Sequence, residues 1–160
     1  MTGLSEDGPE ILARVPAPVG DKMEELSSGI LRHAALEGET SPSGGHKSYC
    51  ESHPYSDEHY TYRDEWSVKG PPVPQLEQAI KRIADTIPKD GWKVLFFGRD
   101  ERTKARVLTL KAEYVHGEDR FLADITVHDQ SRMNAGASTS RLLGSLTSAC
   151  YRVPEGVKAP

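Results

Sequence analysis

Residues 74–87 admit one reading. Leu76, Ala79, Ile80, Ile83, Ala84 and Ile87 recur at intervals of three and four, while Glu77, Gln78, Lys81, Arg82 and Asp85 point the other way. That spacing predicts an α-helix with a single apolar face, which must lie on something else. Pro74 suits the first turn, where its missing N–H is not needed. Pro88 stops the helix and Lys89-Asp90-Gly91 turns the chain.

The flanking sequence supplies a sheet for that face. Tyr60, Tyr62, Trp66 and Val68 alternate with Thr61, Arg63, Ser67 and Lys69, and Asp64 is the exception on the apolar side. After the helix, Trp92 to Gly98 is apolar on both faces and is expected to be a central strand. In Arg106 to Val115, Leu108, Leu110, Ala112 and Tyr114 oppose Thr109, Lys111 and Glu113. Phe121, Ala123, Ile125 and Val127 alternate with Leu122, Asp124, Thr126 and His128, and Leu142 to Tyr151 forms a last strand. Tight polar turns join these strands, which argues for antiparallel pairing. The expected fold is an α+β two-layer sandwich, with an antiparallel sheet of about five strands and one or two helices on one face. Trp66, Trp92, Ile80 and Ile83 are assigned to its core.

Upstream, Asp21 to Leu36 reads as a first helix. Asp21 caps it with Glu24 three residues on, and Met23, Leu26 and Ile30 form its stripe. Residues 1–20 carry Gly3, Gly8, Pro9, Pro16, Pro18 and Gly20 with few large apolar groups, and read as a flexible lead-in. The expected organisation is therefore a lead-in over 1–20, a helix plus a His/Gly/Ser-rich loop over 21–58, a core over 59–154 and a loose tail over 155–160. A chain of 160 residues has room for one domain.

Net charge is −4 at neutral pH, with −5 in residues 1–40 and +1 in the rest. A generally basic nucleic-acid binder is not expected. Mean hydropathy is −0.57, and no run approaches the roughly 18 apolar residues of a spanning helix, so a membrane-embedded protein is not expected. No basic segment followed by an apolar one marks a signal peptide. A cytoplasmic protein and an exported one lacking its signal both remain open on that point.

Cys50 and Cys150 bracket the folded part, with no third cysteine. If the first and last strands are neighbours, the thiols can meet, and a single bridge fits an exported domain. Two buried free thiols in a cytoplasmic protein are the alternative.

His46, Cys50, His53 and His59 offer residue types that zinc accepts, with Asp57 and Glu58 alongside. Their spacing, H-x3-C-x2-H-x5-H, matches no standard finger, and the expectation is a solvated His-rich loop without metal. Ser145, Ser148 and Cys150 share a strand that His128 could approach across the sheet, but there is no G-x-S-x-G elbow, Walker loop or dinucleotide fingerprint. No catalytic residue and no cofactor are assigned. Lys93, Arg99, Arg102, Lys104, Arg106 and Lys111 face only Asp100 and Glu101 between residues 93 and 111. Phe96 and Phe97 are adjacent, so at most one belongs under the helix. Phe97, Arg99, Arg102, Lys104 and Arg106 form the candidate partner-binding surface.

The pattern Trp66-Ser67-Val68-Lys69-Gly70, then the amphipathic helix, then Pro88-Lys89-Asp90-Gly91-Trp92, resembles small secreted or lipid-anchored proteins of actinomycetes, mostly of unknown function. Gly98-Arg99-Asp100 and the close Ser148-Ala149-Cys150-Tyr151-Arg152-Val153-Pro154 extend the likeness over about residues 60–154. The resemblance implies residence outside the cell or in its envelope and carries no catalytic residues. This chain departs from it in showing no lipobox or signal. The expected function is a non-enzymatic exported binding domain whose partner is another protein or an anionic envelope polymer. Membrane tethering through a removed N-terminal lipid anchor is one form of that expectation. The alternatives are a zinc-dependent or thiol hydrolase centred on Cys50, His53 and His59, and an immunity or inhibitor protein.

Overall fold

The computed structural model describes residues 11–40, 45–101, 107–129 and 140–156. In chain order the elements are β1 (Leu12–Ala13), α1 (Pro16–Ala34), β2 (Glu39–Thr40), β3 (His46–Ser48), β4 (His59–Lys69), α2 (Val73–Thr86), a 3-10 turn (Ile87–Asp90), β5 (Trp92–Arg99), β6 (Leu108–His116), β7 (Asp119–His128), β8 (Arg141–Ser148) and β9 (Tyr151–Arg152). The class is α+β, as the alternating pattern predicts.

Among the described residues the sheet has nine strands: seven run in the order β1-β9-β4-β8-β7-β6-β5, and β2 and β3 each pair with β4 off that path. The five long strands are the expected ones. Four short strands of two or three residues are additional. A segment that short contains no periodicity to detect. All long-strand pairings are antiparallel, and only β1 lies parallel to its neighbour, β9. β5 to β8 form a meander, while α2 carries the chain from β4 at one side of it to β5 at the other. β2 and β3 cover the outer edge of β4.

Alternation along each strand divides the sheet into two faces. On one face, register aligns Trp66, Gly144, Ile125, Leu110 and Phe97, and in the next row Asp64, Leu146, Ala123, Ala112 and Val94. Both helices pack there, and one continuous core includes Met23, Leu26 and Ile30 of α1 with Leu76, Ile80 and Ile83 of α2. Fully burying each of those aliphatic side chains contributes roughly 1.5–3 kcal/mol relative to exposure. Trp66, Trp92, Ile80 and Ile83 are all buried, and so is Asp64, the polar exception within the apolar row. Small residues let the layers approach. A Cβ on Gly144 would lie 2.2 Å from Trp66 Cζ2, and one on Gly20 would lie 2.8 Å from the Tyr62 ring.

Helix α1 starts at Pro16, not at Asp21. Val15 is its extended N-cap and prolines occupy the first turn, where fixed φ and the missing N–H suit a helix start. It ends at Ala34 with Ala35 in the left-handed region, before Gly38. Within the expected lead-in, Leu12–Ala13 pair with Tyr151–Arg152 and Val19 is buried, so residues 11–20 belong to the fold. Residues 1–10 lie outside the described part, as do the last four residues of the expected tail. Arg14 anchors this segment. Its Nε donates to Asp119 (3.1 Å), and its carbonyl accepts the Tyr60 hydroxyl (2.6 Å). Burial raises the Tyr60 hydroxyl above its ordinary range and holds Tyr151 at about 12, so both remain neutral donors.

The strand expected to be central, β5, is an edge strand. Its pairing with β6 is interrupted by a bulge between Val94 and Phe96. The extra residue, Leu95, resets the alternation, so apolar residues fall on both faces without both faces being covered.

Candidate functional site

The sheet face away from the helices has its own rows. Arg63, Thr147, Leu122, Glu113 and Lys93 are aligned by register, followed by Glu65, Ser145, Asp124, Lys111 and Phe96, then by Ser67, Leu143, Thr126, Thr109 and Gly98. Among the described residues no helix packs on this face. It carries exposed apolar side chains among polar ones: Leu95 is 49% exposed, Phe96 43% and Leu122 41%.

At one end of the face lies a hollow of about 650 Å³. Its floor is strand surface, with Leu122, Lys111, Ser145 and Thr147, and one wall is the segment from Tyr49 to Ser52. That segment is held by a disulfide between Cys50 and Cys150, which the expected adjacency of the first and last strands makes possible. The Cys50 sulfur also sits 3.6 Å from Thr61 Oγ1 on the neighbouring strand. A second hollow of about 660 Å³, lined by Glu65, Ser67, Thr126 and Leu143, adjoins the first and shares Asp124 and Ser145 with it. Volumes of several hundred cubic ångströms are in the range that small ligands occupy.

The charged groups of the first hollow differ in solvation. Arg63 is 35% exposed, and among the described residues its Nη2 approaches only the 85% exposed Glu51, at 4.0 Å. Its Nε is buried without a hydrogen-bond partner among the described residues. Lys111 is half-buried and Asp124 exposed.

The residues singled out by the sequence are distributed elsewhere. Phe97 lies opposite Leu110, on the helix side of β5, and is part-exposed at the sheet edge. Arg99 is on the same side and donates to Glu77 of α2 at 2.7 Å. Arg102, Lys104 and Arg106 lie outside the described residues. Phe96, on the opposite face to Phe97, is the aromatic that borders the hollow's row.

In the histidine segment, Cys50 is committed to the disulfide and is neither a free thiolate nor a zinc ligand. His46 lies on β3 opposite Arg63. His53 and His59 stack face to face, with centroids 4.1 Å apart. Each Nδ1 lies close to a serine hydroxyl: Ser52 Oγ at 2.9 Å from His53, and Ser56 Oγ at 2.7 Å from His59. Burial, then the neighbouring His53, lowers the His59 pKa. Among the described residues, no group of three or more His, Cys, Asp or Glu is placed to hold a metal ion.

The serines of β8 do not meet His128. Ser148 faces the core side, where it accepts the Tyr62 N–H at 2.9 Å, and Ser145 faces the open side opposite Asp124. His128 pairs with Arg141, about 13 Å along β7 from the level of Asp124.

Arg63, Lys111 and Leu122 are the residues of this face that the sequence did not single out as one site. One local signal existed: Leu122 is apolar in the otherwise polar register of Asp124, Thr126 and His128. Comparison with protein-family models finds no match, and comparisons with curated proteins and with solved structures likewise find none. The fold and site define a disulfide-bridged α+β domain with one open sheet face.

Proposed function

We propose that the protein is a non-enzymatic binding domain that works outside the reducing cytoplasm, and that the open sheet face is its contact surface. The observation that carries this reading is the juxtaposition on one uncovered face of exposed Leu95, Phe96 and Leu122 with a hollow walled by the disulfide-held segment. Sheets normally bury a face with such side chains, and apolar groups left open beside polar ones mark interaction surfaces. The disulfide is compatible with an extracellular location. No described helix is long and apolar enough to cross a membrane. The partner is another protein or an anionic envelope polymer, and Phe96 of β5 borders the same surface.

The test is site-specific photo-crosslinking in the producing cells. A photoreactive phenylalanine analogue replaces Leu122 on the open face or Lys81 on the exposed side of α2. A discrete adduct from position 122 and none from position 81 is the expected outcome. Equal labelling from both positions, or none from position 122, overturns the reading.

A further inference from the structure

Resting on the reading that the open face binds, we propose that its hollow takes a small amphiphile with an oxyanion head, the head at Arg63 and the apolar body across Leu122 toward Leu95. Three observations meet there. The Arg63 guanidinium is partly withdrawn from water, yet among the described residues its Nε–H is buried without a partner and its nearest carboxylate, on Glu51, is 4.0 Å away. A buried donor left unmade is costly, and a ligand oxygen recovers that cost once the part-exposed guanidinium turns its Nε–H toward the hollow. A guanidinium also presents parallel N–H groups that fit a carboxylate or phosphate.

The second observation is Lys111, half-buried in the same hollow and without an ion pair among the described residues, although Asp124 is its cross-strand neighbour. Two acids, Glu51 and Asp124, balance the two bases in number. Both acids are exposed, so water and salt screen them more than they screen the withdrawn bases. The field inside the hollow therefore favours an anion. The third observation is the apolar surface: Leu122 and Leu95 both line the hollow and both remain exposed, ready to cover a short alkyl body. Thr61, Ser145 and Thr147 add hydroxyls along the hollow for the head's remaining lone pairs.

The experiment is an amide-shift NMR titration of the full chain, disulfide intact, with sodium octanoate and, separately, with neutral octan-1-ol. The expected result is one saturable octanoate site with the largest shifts at Arg63, Lys111, Leu122 and Thr147, and at least tenfold weaker binding of octanol. The Arg63→Gln variant is expected to lose tenfold or more in octanoate affinity, with Phe97→Ala unchanged. Octanol binding as tightly as octanoate overturns the proposal without recourse to any variant. So does the absence of saturable octanoate shifts, or their clustering away from the open face. Failure of the titration with specific cross-links from position 122 removes only the oxyanion assignment, whereas loss of those cross-links removes the binding reading itself.

Discussion

Single side chains here answer to the neighbours that folding places around them. His59 illustrates this through its charge. Burial and the stacked His53 favour its neutral form in the folded protein, against a smaller opposing contribution from Glu58. The unfolded chain titrates near 6.5. Between the lowered folded value and 6.5, the unfolded state binds more protons than the folded one. Stability contributed by His59 is therefore fully present above about pH 6.5 and is lost as pH falls toward the folded value, below which it changes no further. Urea unfolding midpoints should drop between pH 7.5 and pH 5, and His59→Gln should flatten part of that slope. An identical slope in the two proteins would assign it to other groups. The histidine spacing in the sequence points to metal chemistry, whereas the folded geometry places two of the rings in a stack and the intervening cysteine in a disulfide.

At the scale of elements, packing is set by pairs of strands. Trp66 of β4 lies over Gly144 of β8, its register partner, and the indole occupies the space a Cβ would need. Gly144→Ala should destabilise by about 1–3 kcal/mol, the usual cost of forcing extra volume into a filled core. Combining it with Trp66→Leu should cost less than the sum of the single changes, because the smaller side chain makes room. Urea unfolding of the four proteins measures the coupling, and strict additivity would mean that the two residues do not share the space. The edges follow a different logic. β4 is covered on its outer side by β2 and β3, while among the described residues nothing pairs with the outer edge of β5. The bulge at Leu95 interrupts the regular edge that another chain could extend. Continuous apolarity in β5 thus has a cause other than central placement: one side chain set faces the helices, and another borders the open hollow.

At the scale of the molecule, the Cys50–Cys150 bridge ties the segment before β4 to the segment after β8, 100 residues apart. Chain entropy alone assigns such a loop about 4–5 kcal/mol of stabilisation through the unfolded state. The Cys50→Ser/Cys150→Ser double variant should lose stability on that order in urea unfolding, and reduction of the native protein should reproduce the loss. Equal stability of the native and double-variant proteins would show that the bridge only positions the Tyr49–Ser52 wall. The α+β class, helix α2, the five long strands and their core-facing residues were legible in the sequence, because periods of 3.6 and 2 are local properties that burial imposes on neighbouring positions. The bridge was legible conditionally, on the adjacency of the strands beside its two ends. Only the tertiary structure decided that β5 is an edge and that α1 begins at its prolines with β1 joining the sheet. It alone brought Arg63, Lys111 and Leu122 to one hollow from three strands. Strand order and cross-strand register depend on contacts between residues tens of positions apart, and no local pattern encodes which strand lies beside which.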